Sequence, residues 1–146
     1  MVVLVVLFAS LVLFRGLGAL GVEALSSWQG AAVWALAVMF LFTASAHFTK
    51  MKKDLINMVP KALPNPRFLV RFTGVLEILG AVGLLVPATR ELAGLCLALL
   101  VVAMFPANVN AAVKGVPMRG RPPTPLWLRA PMQLLFVAVA LWASQA

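Results

Sequence analysis

The chain has little of what water-facing or disulfide-built proteins depend on: among 146 residues there are four acids, one cysteine, one histidine and no tyrosine. The lone Cys96 has no intramolecular partner, which excludes an internal disulfide and a dithiol relay. Set among Leu95, Leu97 and Leu99, it reads as a small buried hydrophobe. The lone His47 cannot supply both axial ligands of a haem from one copy of the chain.

What is present is apolar. Hydrophobic residues make up 63% of the sequence, and the mean hydropathy is +1.03, far above a globular domain. Twelve Lys and Arg give a formal charge of +8, a sign that also suits nucleic acid. Their position excludes that partner, because they fall in short loops beside apolar runs, where they orient a membrane chain and meet anionic headgroups.

Five runs have the length and composition of membrane-crossing helices, at residues 1–21, 31–48, 68–86, 92–113 and 130–143, the last being the shortest. They form a single transmembrane domain. The first lacks the positive charge that precedes the apolar core of a secretory signal, so it reads as a retained helix. Prolines punctuate the connections: Pro60, Pro64 and Pro66 in the second, Pro87 in the third, and Pro117, Pro122, Pro123 and Pro125 in the fourth. The fourth, residues 114–129, is expected to run extended. Alternating spans put the N-terminus and the second and fourth connections on one side. Ten basic residues gather there, against Arg15 and Arg90 on the other. The positive-inside rule makes the ten-residue side cytoplasmic and places the C-terminus opposite.

Ionisable groups inside a span are costly unless paired or hydrated. Glu77 lies nine residues into the third span, about 13 Å along its axis. It calls for either a proton of its own or a cation from a neighbouring helix, and a functional site and a structural tie are equal readings of it. Thr73, one turn earlier, and Gly80 and Ala81 beyond it make a face of small residues that another helix can approach closely. His47 ends the second span with Thr43 one turn before it; it can cap the helix dipole or act as ligand or proton carrier. Asn108 and Asn110 near the end of the fourth span, Gln133 in the fifth and Arg71 at the entry to the third occupy the same leaflet. Pro106 deprives the Val102 carbonyl of its amide partner just before Asn108.

The stretch LFTASAHFTK at Leu41–Lys50, the amphipathic loop at 51–66, GVLEILGAVGLLVPATRELAGL at Gly74–Leu95 and FPANV at Phe105–Val109 together resemble the DoxX family of small bacterial membrane proteins. The resemblance covers residues 31–143. It implies an all-α four-helix transmembrane bundle, here with an additional N-terminal transmembrane helix to give five spans, in the bacterial cytoplasmic (inner) membrane. It further implies a link to quinone or thiol stress chemistry, with quinone as the candidate cofactor and His47 and Glu77 marking the polar site. On this reading the cluster of Thr43, His47, Arg71, Glu77, Asn108 and Gln133 binds a quinone-like or other small amphipathic ligand. The competing expectation is a non-catalytic assembly or stress-protection factor, working with a membrane protein partner or as a homo-oligomer.

Overall fold

The computed structural model describes residues 1–146. It is all helical: α1 (Val2–Ala19), α2 (Trp28–Ala46), the short α3 (Lys52–Met58), α4 (Pro66–Leu85), α5 (Arg90–Lys114) and α6 (Leu126–Ala143), with a single 3-10 turn at Glu23–Leu25 between the first two. All but α3 are long and apolar enough to cross a membrane. At about 1.5 Å per residue, even the 18-residue α1 and α6 are about 27 Å long.

The helix ends follow local chemistry. Ser27 caps α2 by accepting the Gly30 amide at 2.9 Å. Pro66 stands in the first turn of α4, where its missing amide costs nothing, and α5 ends on Gly115 at φ 65°, a left-handed position that suits glycine. The last helix begins at Leu126, four residues ahead of the expected start; at 18 residues it is still the shortest of the five long helices, a length it shares with α1. Arg129 and Pro131 are therefore helical; Pro131, sixth in the helix, leaves the Trp127 carbonyl without its amide partner.

α2 is central, packed by α1, α4 and α6, while α4 meets α5 and α5 meets α6. Half of the buried apolar residues are alanines. In a bilayer, where lipid tails are as apolar as the helices, such small side chains bring backbones close and dispersion does the rest. The expected small-residue face of α4 behaves this way: Gly80 abuts the Leu97 side chain of α5, and Ala81 is fully buried. Gly94 of α5 lies equally close to Ser144 at the end of α6. Cys96 is exposed on the outer face of α5 beside Leu95 and Leu99, which corrects its reading as buried. The rotational phase of α5, fixed by Leu97 and Ala98 pointing inward, leaves it outside.

The two ends of the bundle differ. At one, Gln29 donates to the Trp142 carbonyl at 3.0 Å and Arg90 Nε to the Leu84 carbonyl at 2.8 Å. Arg15 stacks over Trp28 there, its guanidinium carbon 5.4 Å from the ring centre. At the other, the second and fourth connections are tied together. Asn110 Nδ2 donates to the Met58 carbonyl at 2.9 Å, and the Asp54 carboxylate accepts the Arg119 amide at 3.1 Å. The fourth connection is thus not extended throughout: Met118 and Arg121 pair across a turn in which Arg119 and Gly120 have φ of 53° and 71°. The two connections that carry most of the Lys and Arg therefore share one end, hereafter the basic end.

Because Asp54 fixes a backbone amide in an otherwise exposed turn, Asp54→Ala is expected to cost only about 1 kcal/mol. It should sharply raise tryptic cleavage after Arg119, read as cleavage rate in mild detergent. Equal rates in the two proteins would show that the tie does not hold the turn.

Candidate functional site

The polar centre forms where α2 and α4 pack near the basic end. His47 is the C-cap of α2, and its backbone amide closes the last turn on Ala44. Its ring does not serve its own helix, so the dipole-capping reading of the side chain gives way to an interhelical one. Nδ1 lies 2.6 Å from the Val70 carbonyl of α4. A carbonyl only accepts, so Nδ1 carries a hydrogen and donates. That leaves Nε2 facing Glu77 Oε1 at 3.5 Å. The other carboxyl oxygen, Oε2, accepts from Thr43 Oγ1 at 2.8 Å. Thr73 stands 3.3 Å from Nδ1 while donating back to the Leu69 carbonyl at 2.8 Å.

This arrangement has two forms of equal net charge. In one, the imidazole is protonated at both nitrogens and faces a carboxylate; in the other, a neutral ring faces a neutral acid. They differ by the position of one proton. The 3.5 Å separation is longer than a good hydrogen bond, which runs about 2.7–3.2 Å, so the contact is a close charge pair with slack in it. Both residues are 4% exposed, so water screens little of their interaction.

His47 is held in place by an absence. Gly74 lies against it, and a Cβ there would come within 2.6 Å of His47 Cβ, 2.9 Å of Cγ and 3.0 Å of the Phe48 ring. Only glycine lets the imidazole settle flat on α4.

Of the six candidates, Thr43, His47 and Glu77 come together, and the other three do not join their hydrogen bonds. Gln133 Nε2 donates to the Val101 carbonyl of α5, beside the carbonyl that Pro106 leaves without its amide, and so ties α6 to α5. Asn108 is partly buried, one turn nearer the basic end than Met104. Arg71 is exposed and belongs to the helix surface. Thr73 and the Val70 carbonyl complete the site. The position of Thr73 one turn before Glu77 was a signal for the first; a backbone acceptor leaves no signal in sequence. No group of three or more metal-binding side chains occurs. Two surface hollows of about 440 and 420 Å³ lie elsewhere, one along Leu92, Leu95 and Leu141 and one beneath α3 at Asn57 and Lys61.

A family model described as a domain of unknown function (DUF8561) matches residues 36–144. The match runs from within α2 through α6 and leaves α1 outside. No curated protein and no solved structure matches the chain.

Proposed function

The chain belongs to the DUF8561 family, and for a member of a family whose description assigns no activity we propose a small membrane subunit of a redox or stress-response system. In this reading His47 and Glu77 receive the head of a quinone-like or other small amphipathic molecule and exchange a proton with it. The basic end faces the cytoplasm of a bacterial inner membrane, and the four helices from α2 onward, α3 apart, are the DoxX-like bundle.

The observation that carries the reading is the pair itself: an acid and an imidazole on adjacent helices, buried and 3.5 Å apart. A quinone reduced to a quinol takes two electrons and two protons. A partner protein's redox centre supplies the electrons, the pair holds one of the protons where the ring oxygen can reach it, and the second proton comes from water at the basic end.

A second reading has its own support. Both side chains are enclosed, each has protein partners, and neither lines the two hollows described. These are also the properties of a tie in a non-catalytic assembly or stress-protection factor.

Glu77→Gln separates the two, because the amide keeps a partner for Thr43. Its helicity and thermal unfolding in detergent should stay close to the parent's. Binding of a short-chain ubiquinone analogue, read by tryptophan quenching, should weaken about tenfold, the effect of one charge-assisted hydrogen bond. Unchanged quinone affinity removes the acid from ligand binding. A stoichiometric protein partner recovered in mild detergent without a bound organic molecule then favours the assembly role.

A further inference from the structure

The inward-facing stripes of the helices are sealed at one end of the bundle and partly open at the other. On α5 the stripe runs Leu97, Val101, Met104, Asn108 at four- and three-residue steps: Leu97 is buried, and the three nearer the basic end are partly exposed. On α6 it runs Ala140, Phe136, Gln133, Arg129, with Ala140 fully buried and the other three partly exposed. Thr43 and Thr73 are also partly exposed, although they lie among the inward-facing, buried His47 and Glu77. The hydrogen bond from α2 to α6, Gln29 to Trp142, is at the far end. Toward the basic end the inner stripes of α5 and α6 are therefore less covered than at the far end.

Contacts between neighbouring helices fix their registers. Glu77 meets Thr43, Gly80 meets Leu97 and Gln133 meets Val101. Arg129 follows one turn nearer the basic end, level with His47, Thr73 and Met104. It is a partly buried cation on the inner stripe of an apolar helix, and the only ion pair in the chain is His47–Glu77. No carboxylate of the protein neutralises it.

We propose that a crevice opens at this less covered end between α2–α4 and α5–α6 and binds a long-chain carboxylate, a single-chain amphipathic anion, with its head on Arg129 and Asn108 and its chain along Met104 and Phe136. A guanidinium fork matches a planar carboxylate in a bidentate fashion, the Asn108 amide is a second donor, and the walls above are apolar. The site goes beyond the proton-pair reading and stands even if Glu77 is only a tie between helices.

The test uses the full chain in neutral detergent, with brominated palmitate as probe and tryptophan quenching as readout. Arg129→Gln is expected to weaken binding about tenfold or more, and Arg129→Lys less, since it keeps charge but loses the fork. Arg71→Gln, on the exposed surface of α4, should bind as the parent does. The proposal is overturned if Arg129→Gln binds palmitate normally, if Arg71→Gln loses as much, or if brominated hexadecanol binds as tightly as the acid. Lysophosphatidate binding more tightly with the same Arg129 dependence overturns the carboxylate assignment. Should Arg129→Gln not fold, Asn108→Leu serves, with binding weaker by about threefold or more supporting the site and parental affinity sinking it. The quinone assay on Glu77→Gln reads only the proton pair, so the two ideas fail separately.

Discussion

Gly74→Leu is expected to take the polar centre apart while leaving the helices formed. The added Cβ alone would sit 2.6 Å from His47 Cβ, about an ångström inside the 3.5–4.0 Å at which carbon atoms rest. The imidazole cannot turn aside without giving up its 2.6 Å bond to the Val70 carbonyl. The end of α2 must therefore lift away from α4, and a 3.5 Å contact with Glu77 does not survive a displacement of that size. Overpacking of this kind costs about 1–3 kcal/mol. Gly74→Ala should show the lower part of that range, with the leucine variant at or above its top. The single histidine makes the structural readout unambiguous, because its two ring nitrogens give the only imidazole ¹⁵N signals. In the parent, Nδ1 should report a hydrogen-bonded N–H, and in Gly74→Leu that signature should be lost together with the stability. An imidazole spectrum identical in parent and variant would show that the close approach of α2 and α4 is not what sets the ring.

The sequence shows how deep each of these groups sits but not which way it points. Depth follows from counting for Glu77, nine residues into its span, and for Asn108 and His47, which lie toward the basic end of the bundle; it fails for Gln133, which counting sets near the start of its span and which lies deeper because α6 begins at Leu126. Azimuth follows from packing, and packing decides which of them meet. Glu77 and His47 touch because Gly74 lets α2 lie flat on α4. Gln133, at the level of Glu77, turns to the backbone beside the Pro106 site instead. Asn110 is drawn off to hold α3, a helix that fits between Lys50 and the first proline of its loop, Pro60, in the one stretch of that connection without a breaker. Cys96 reads as buried because all its neighbours are leucines, yet in a lipid-facing helix leucine marks the outside as readily as the core. Arg129 reads as a loop residue because cations usually mark loops. Its place on the inner stripe of α6 depends on the helix starting at Leu126, which Pro131 argues against in sequence and which the structure tolerates near the helix start.

The strength of the His47–Glu77 contact decides between its two protonation forms, and a double-mutant cycle measures it. Two unit charges 3.5 Å apart attract by about 5 kcal/mol at an effective dielectric of about 20, and the desolvation of both offsets most of that. A neutral ring facing a neutral acid at the same distance gains little, since the geometry is poor for a hydrogen bond. Each single leucine variant leaves a partner that can become neutral and keep another bond, His47 on Val70 and Glu77 on Thr43. Each should therefore lose about 1–2 kcal/mol rather than the 3–5 kcal/mol of a stranded buried charge. For the charged form, the double variant His47→Leu/Glu77→Leu should be more stable than the sum of the singles implies by about 1–2 kcal/mol. Reversible unfolding in mixed micelles gives the four free energies. A coupling under about 0.3 kcal/mol would mean that the two residues are neighbours without being partners. Glu77 would then be a tie to Thr43 alone, and the proton shared between imidazole and acid, on which the ligand-binding reading rests, would have no physical basis.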